Sequence, residues 1–428
     1  MRKSYIISLL ISILALFVIS TPAYALFEGE TYKIGGDFRL RQVFFDNIID
    51  TNSDNDDNFN FFRFRLRTFG EYAPSETFRF YARITGEPRY YIDPDMDDEF
   101  NRDEFVIDNL FIEFKTGEEV LSTTRIGRQD IVQGSRLLVL DGTPLDGSRT
   151  IYTDAIRQMF KFDNLNLDIF LSRVKSDDPI GKINNQDMLL TEEDEDVHGI
   201  IASGKIDDIT LEGYYYYHKT DSDGTDRKSS TLGSRILGNF SEEVSYSAEL
   251  AYQFGELAGL DVNTGLAGEI TLTYKPIDMK YSPKFKFSYI YLPGEDTTTA
   301  DSEAWDPVYG RWPRFSELYI YTYVQETHVA TVDNIQLYTL SCGLVPTEKL
   351  SLYGSINYMR ANETPLENTR IFGDDLERGW LYTFKTVYKF NESLTGHFLY
   401  EYLKPGNYYA EESQDNGYFC RYELLYKF

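Results

Sequence analysis

The amino-acid sequence predicts an all-β fold, a transmembrane antiparallel up-and-down β-barrel of about 18 strands. Three observations predict it: a secretory signal at the N-terminus, no later apolar stretch of helix-spanning length, and repeated segments of alternating polarity, the last of which ends at Phe428. This combination is typical of the outer membrane of double-membraned bacteria.

The first residues form a secretory signal. Met1-Arg2-Lys3 is basic, Ile6 to Ile19 is apolar, and an A-x-A cleavage site ends at Ala25. Leu26, rather than a cysteine, follows the cut, so no lipid anchor is indicated. We therefore expect residues 1–25 to be a signal peptide and residues 26–428 to form the barrel.

Composition excludes a helical membrane protein. After the signal no stretch approaches the roughly 20 apolar residues that a spanning helix needs, and the mean hydropathy is -0.40. The 34 Tyr and 30 Phe, beside 26% charged residues, suit aromatic girdles around a polar lumen. A large secreted β-sandwich or propeller is the alternative. Cys342 and Cys420 show no metal-ligand spacing, and we interpret both as ordinary strand residues.

Alternation within each segment separates two faces. In Val244 to Phe254 the residues Tyr246, Leu250 and Phe254 share the apolar face, and Glu249 and Gln253 share the polar one. We expect the first set to meet lipid and the second set to line the lumen.

Connection lengths set the strand number, because barrels of this kind alternate tight periplasmic turns with long extracellular loops. Eight tight turns imply sixteen strands, and the first and last strands raise the count to eighteen, plus or minus two. An odd number of strands would place the two chain termini on opposite sides of the membrane. If one predicted strand is delimited wrongly, we expect it to lie between Arg125 and Phe162. The turns lie at 73–75, 117–119, 163–164, 207–208, 241–243, 275–283, 346–348 and 391–392.

The final strand places Tyr422, Leu424, Tyr426 and Phe428 on one face. This aromatic-terminated pattern resembles the signal that the barrel-assembly machinery reads. A barrel of this size encloses an aqueous channel unless loops fold inward.

Most of the formal net charge of -27 comes from acidic runs in predicted extracellular loops. The simplest interpretation is solvated loops that also bind divalent cations such as Ca²⁺ next to lipopolysaccharide; we expect no other cofactor. The runs are Asp54, Asp56 and Asp57; Asp93, Asp95, Asp97, Asp98 and Glu99; and Glu192 to Asp196.

The lumen face of the early strands is basic instead. Guanidinium groups stay charged and can donate two hydrogen bonds to one carboxylate. A lumen face that carries many of them therefore favours the passage of anions. The alternative is that these arginines pair with inward carboxylates such as Asp37, Glu71 and Glu113 and fill the barrel; both interpretations are compatible. The arginines are Arg39, Arg41, Arg63, Arg65, Arg67, Arg79 and Arg83.

Three segments resemble the core of the alginate export family: Arg125-Ile126-Gly127-Arg128-Gln129-Asp130-Ile131, Gly134-Ser135-Arg136-Leu137, and Arg149 with Asp154-Ala155-Ile156-Arg157. The resemblance implies an eighteen-stranded monomeric barrel whose arginine-rich pore exports an acidic polysaccharide. It also implies that the pore is lined by Arg128, Arg136, Arg149 and Arg157, and that Asp154 is the partner that orients these arginines.

The segment from Trp305 to Tyr319 does not map onto the alginate-specific features of this family. It is either a loop that folds into or over the pore, or a surface loop held by its two Trp rings. A barrel enzyme needs a His beside a nucleophile, and His397, near Thr395 and Glu401, is the nearest arrangement; we expect no enzyme. A plug-domain receptor is excluded, because the first strand begins soon after the cleavage site.

The basic lumen face therefore predicts passive, anion-selective passage, and the resemblance implies export of an acidic polysaccharide such as alginate. A general diffusion porin for small anions and a structural or adhesive barrel are the alternatives. The expected partners are the anionic cargo, outer-membrane lipid, lipopolysaccharide and the barrel-assembly machinery. We expect a monomer that binds no nucleic acid.

Overall fold

The computed structural model describes residues 27–94, 100–101, 105–117, 120–140, 153–176, 180, 194–221, 226–327, 332–364 and 372–428. These residues form a closed antiparallel barrel. The predicted signal peptide lies outside them. None of the helices among them is long and apolar enough to cross a membrane.

The strands, in chain order, are β1 Phe27–Glu28, β2 Tyr32–Asp46, β3 Phe59–Ser75, β4 Phe78–Gly86, β5 Arg89–Asp93, β6 Phe100–Asn101, β7 Phe105–Thr116, β8 Leu121–Gln129, β9 Thr153–Lys161, β10 Leu165–Val174, β11 Asp194–Ile206, β12 Ile209–Asp221, β13 Arg227–Asn239, β14 Val244–Leu257, β15 Leu260–Tyr274, β16 Lys284–Leu292, β17 Ile335–Thr347, β18 Leu350–Arg360, β19 Glu377–Lys389, β20 Leu394–Pro405 and β21 Gly417–Lys427. Among the described residues one α-helix, α1 Leu318–Thr327, precedes β17, and a 3-10 turn spans Glu411–Ser413.

The described part of the chain contributes eighteen strands to the barrel, although more strand segments are delimited along the sequence. The strands β4 and β5 both pair with β3, so they are one strand interrupted at Pro88, which has no N–H to donate; β1 and β6 are two-residue additions. Strand β21 pairs with β2 and closes the ring, with Lys427 opposite Asp37. The predicted count is confirmed, and the suspected mis-segmentation between Arg125 and Phe162 is wrong, because β8 and β9 are both barrel strands.

The eight short connections lie on one rim, where the sequence predicts them. The other rim carries the long connections, with two exceptions: β14 and β15 are joined by only Ala258 and Gly259, and β12 and β13 by residues 222–226. By the usual rule for such barrels the short-turn rim is periplasmic, and we call the two rims inner and outer.

The two faces of the strands are as predicted. On β14, Leu250 and Phe254 are 55% and 41% exposed on the outside, whereas Glu249 and Gln253 are 4% and 0% exposed inside. Outward aromatic side chains meet beside the short turns, for example Phe240 with Tyr246 and Tyr388 with Phe390. Such a girdle suits the membrane interface.

Candidate functional site

The barrel encloses a lumen whose basic side follows β2 to β9. On β2, Arg39 and Arg41 point inward and are buried, while Phe38 and Leu40 alternate with them. Strand register extends the same face to the other predicted arginines of β3 and β4 and to two arginines of later strands. We call this set the arginine wall; its members are Arg39, Arg41, Arg63, Arg65, Arg67, Arg79, Arg83, Arg125 and Arg157.

Carboxylates offset most of the charge of the arginine wall. Arg65 donates to Asp37 at 2.7 Å, and Arg79 lies 3.3 Å from Glu71 and 2.9 Å from Glu113, as the alternative interpretation predicts. Each guanidinium of the wall is thus held in place by a carboxylate or, for Arg67, a hydroxyl. The further contacts are Arg39 and Arg63 with Glu87, Arg41 with Glu423, Arg83 with Asp108 and Asp130, Arg125 with Glu113, Arg157 with Asp168, and Arg67 with the Thr85 hydroxyl.

Two residues that the resemblance assigns to the pore lie on the other face. Arg128 donates to Asp154 at 3.0 Å, which is the pairing expected of them. However, Arg128 and Asp154 share the parity of Ile126 and Ile156, whose side chains are 40% and 53% exposed outside. Because side chains alternate along a strand, the register places this pair on the outer face. Arg149 lies outside the described residues.

Arg136 lies on a loop that crosses the lumen. Residues 130–140, the first inward loop, run from the end of β8 to the far side of the barrel, where the Ser135 N–H donates to Glu249 of β14. Arg136 has a positive φ of 74°, a conformation uncommon for a residue with a side chain. Its side chain is exposed and makes no ion pair within the described ranges. It is therefore available to a solute.

Residues 293–327 and 332–334, the second inward loop, also fold into the lumen. They include the segment from Trp305 to Tyr319, and its interpretation as a surface loop is wrong. Trp305 and Tyr309 are 2% exposed, because they pack inside the barrel in one apolar cluster with Leu137, Leu138 and the inward side chains of several strands. The outer half of the lumen is thus partly filled by protein.

One group of buried charges anchors this loop to β11, β12 and β13. The Asp306 carboxylate lies 2.7 Å from His218 Nδ1 and 3.5 Å from Arg227, and Arg311 pairs with Glu195. Burial opposes ionisation of Asp306, but His218 and Arg227 outweigh it and hold the pKa of Asp306 well below its ordinary value. Burial also disfavours the charge of Arg311, yet the attraction of Glu195 raises its pKa.

A second group anchors the loop on the opposite side. Glu401 of β20 accepts hydrogen bonds from the Ser316 hydroxyl and from the N–H groups of Glu317 and Leu318, at 2.7 to 2.9 Å, and so caps the start of α1. Glu317 lies 2.9 Å from Arg421 of β21. Burial would raise the pKa of Glu317, but Arg421 and Arg41 outweigh this and lower it.

The two inward loops touch each other in the middle of the lumen. Tyr309 N–H donates to Leu138 O at 2.9 Å, and Arg314 donates to Ser135 O at 2.5 Å and to Glu269 at 2.9 Å. A Cβ on Gly310 would lie 2.6 Å from the Leu137 carbonyl oxygen, so only glycine permits this approach. The loops form one crossbar, by which we mean residues 130–140 and 293–327 together.

The inner half of the lumen contains aromatic side chains that the sequence interpretation missed. Phe69 and Tyr81 share the inward parity of Arg67 and Arg83, and all four line a cavity of about 410 Å³. The sequence signal for them is their spacing of two from Arg67 and Arg83, which outweighs the general preference of aromatic residues for the lipid face.

Several acidic residues assigned to solvated loops have structural contacts instead. Glu195 is buried in the lumen, which corrects its assignment, because Arg311 neutralises it there. Asp57 accepts the N–H groups of Asn47 and Ile49. The runs at 95–99 and 192–193 lie outside the described residues, and within the rest no cluster of three metal-ligating side chains occurs.

His397 lies in the ion-pair network rather than beside a nucleophile. Its Nδ1 is 3.3 Å from Glu423, and Arg421 donates to its Nε2 at 3.1 Å. Both cysteines are free and half-buried on strands.

Comparison with known proteins gives one family and one fold. The sequence model of the family described as "Alginate export" matches residues 31–419. Solved structures similar to this chain, each 12% identical to it, include OccAB1 of Acinetobacter baumannii (TM-score 0.60; 94% of this chain and 98% of that one), OpdQ of Pseudomonas aeruginosa (0.59; 93% and 97%) and OpdK of P. aeruginosa with vanillate (0.56; 92% and 98%). No curated protein sequence matches significantly.

Proposed function

Because the chain belongs to the alginate export family, we propose that it is an anion-selective outer-membrane channel through which an acidic polysaccharide such as alginate leaves the periplasm. The family and the fold that it shares with solved outer-membrane proteins place it in the outer membrane as a channel. Selectivity for anions, and for this cargo in particular, is the proposal.

The arrangement of the arginine wall is the observation that carries the proposal. Its guanidinium groups already hold carboxylates at intervals along the lumen. A carboxylate in transit meets the same donors in turn and exchanges with those carboxylates, so binding is weak and distributed over several sites, as conduction requires. Arg136, on the crossbar, adds a cation without a protein partner within the described residues. No covalent step is involved, and solute moves down its gradient.

Passage of small carboxylates is the second candidate function. The crossbar narrows the outer half of the lumen, which disfavours a bulky polymer unless the crossbar moves. A fold neighbour was solved with vanillate, a small aromatic carboxylate. On this alternative the cargo is a single carboxylated molecule rather than a chain.

The reversal potential of the purified protein in a planar bilayer under a salt gradient tests the proposal. We expect anion preference, and we expect Arg136→Gln to reduce it because the substitution removes an exposed charge from the crossbar. Arg360→Gln is the matched control, since Arg360 is exposed on the outer face of β18. Cation preference of the unaltered protein would refute the proposal.

Oligouronates of increasing length separate the two cargoes. For a polymer channel, current blockade strengthens and lengthens from dimer to octamer, because each added unit engages further guanidinium groups. For a channel of small carboxylates, blockade is independent of length beyond one or two units.

A further inference from the structure

Outside the arginine wall, the inner half of the lumen carries lysines on β16 and β19. Lys284 and Lys286 of β16 flank Phe285, whose side chain is exposed on the outer face of the barrel. Lys385 of β19 follows Phe384, which is also exposed outside. Because side chains alternate along a strand, the three lysines point into the lumen. They lie near the inner rim, where β16 begins and β19 ends.

The protein does not neutralise these lysines. In the described part of the chain none of the three forms an ion pair. Lys284 and Lys286 lie close enough for their like charges to repel each other. The carboxylates that act on Lys385 are those of Glu317 and Glu423, and both are already paired with arginines of β21 and β2. The lysines therefore differ from the arginine wall, whose members are held by groups of the protein.

One aromatic ring lies between Lys284 and Lys385. Tyr353 of β18 shares the inward parity of the buried Ser355. It stands directly opposite Lys385 on one side, and on its other side it stands opposite Gly343 of β17, which pairs with Lys284. These residues form one row across β16 to β19. Adjacent strands are about 5 Å apart, so the Cα atom of Lys385 lies about 5 Å and that of Lys284 about 10 Å from that of Tyr353.

The ring of Tyr353 is open to the lumen. Its side chain is 40% exposed, whereas Phe111 beside the arginine wall is 6% exposed, because two guanidinium groups cover its ring. Within the described ranges no other ring and no cation packs on Tyr353. The neighbouring Gly343 has no side chain, and an added Cβ would meet only backbone oxygen atoms, at 3.9 Å. An open gap therefore separates Tyr353 from Lys284.

A ring flanked by two cations without protein partners fits one class of ligand. A pyranose that carries a carboxylate has an apolar C–H face that packs on an aromatic ring, and a charge at its edge that accepts hydrogen bonds from an ammonium group. The flexible four-carbon stem of lysine lets the ammonium group follow that charge. An aliphatic carboxylate of equal charge has no ring face to pack on Tyr353.

We propose that Tyr353, Lys284 and Lys385 form a binding subsite for one carboxylated sugar unit. The tyrosine ring packs on the sugar ring beside Gly343, and the two lysines hold the carboxylate. The inference rests on the proposed function and deepens it, because it adds a contact that recognises the sugar ring and not only its charge. The subsite lies near the inner rim, so a chain from the periplasm meets it before it reaches the crossbar.

Single-channel blockade from the inner side tests the subsite with two probes, trigalacturonate and tricarballylate, which has the same charge but no sugar ring. Tyr353→Leu removes the ring, and Gly343→Val fills the gap beside it at a position without a positive φ. We expect each variant to raise the half-blocking concentration of trigalacturonate about fivefold and to leave that of tricarballylate unchanged. Lys385→Gln should raise both concentrations, because both acids meet its charge.

Controls separate packing on the ring from structure and from charge. Tyr382→Leu is the matched control, since Tyr382 is 39% exposed on the lipid face of β19; it should behave as the unaltered protein. Tyr353→Phe keeps the ring and should retain blockade by trigalacturonate. The reversal potential should be unchanged in Tyr353→Leu and Gly343→Val, and their conductance shows that both variants are folded.

Two results would overturn the subsite while leaving an observed anion preference intact. One is unchanged blockade by trigalacturonate in either Tyr353→Leu or Gly343→Val. The other is an equal loss of blockade by both acids in these variants. Cation preference of the unaltered protein would instead refute the proposed function, and the reversal potential measures it independently of the blockade.

Discussion

Removal of the Asp306 carboxylate should release one side of the crossbar. Asp306 contacts His218 at 2.7 Å and Arg227 at 3.5 Å, and it accepts the Val308 N–H at 2.9 Å. In Asp306→Ala the cations remain in a buried site without this partner. Removing one member of a buried ion pair costs about 3 to 5 kcal/mol, which shifts the docking equilibrium of the loop by roughly two to three and a half orders of magnitude.

Single-channel recording and limited trypsin digestion of the folded protein measure this shift. We expect frequent steps to higher conductance and faster cleavage at Arg311 or Arg314, because an undocked loop widens the lumen and exposes its chain. Asp306→Asn keeps a hydrogen-bond acceptor and should give a smaller effect. Asp301→Ala is the matched control, since Asp301 lies in the same loop and makes no ion pair within the described ranges. Identical recordings and digestion for Asp306→Ala and Asp301→Ala would refute the reasoning.

Three further predictions concern the same crossbar. Gly310→Ala forces the two inward loops apart, because its Cβ would lie 2.6 Å from the Leu137 carbonyl oxygen. We expect the docked loop to be destabilised by about 1 to 3 kcal/mol, which is measured as faster trypsin cleavage of the loop. Gly70→Ala is the control and should cause no destabilisation, because no atom lies near the position of its Cβ. Glu401→Ala removes the cap of α1 and should cost about 1 to 2 kcal/mol, measured as faster hydrogen exchange at the Glu317 and Leu318 amides, whereas Glu401→Gln should retain most protection. Because the pKa of Asp306 is lowered on folding, its contribution to docking is present above about pH 4 and is lost as the pH falls further; conductance steps should therefore appear in strong acid and be much less pH-dependent in Asp306→Asn.

The barrel itself could be predicted from sequence because its rules are local. Alternation assigns each side chain to a face, and short connections mark where strands turn back, so the strand number and the inward position of Arg39 or Arg65 follow without any long-range information. The pairing of Arg65 with Asp37 also follows, since both lie on the lumen face of neighbouring strands.

The crossbar could not be predicted in this way. Loops have no period, and the partners of Asp306 lie 79 and 88 positions away along the chain. One signal is present: Leu137 to Leu140 is apolar throughout, and Trp305, Val308 and Tyr309 lie close together, in segments that would otherwise face water. The outward position of Arg128 does not follow from the family resemblance, but it does follow from strand parity, which Arg128 shares with the outward Ile126.

The pairing of β21 with β2 has a consequence for how the chain folds. All the other pairings of barrel strands join strands that are close in sequence. Most strand contacts can therefore form soon after the two neighbouring strands have been synthesised. The pairing of β2 with β21 places Asp37 opposite Lys427, and these residues are separated by nearly the whole chain. Until this pairing forms, β2 and β21 each have only one neighbouring strand. Long-range closure of this kind is slow, and unpaired strand edges bind other chains. The interval before closure is therefore the period in which the nascent barrel most needs a partner to cover its two edges.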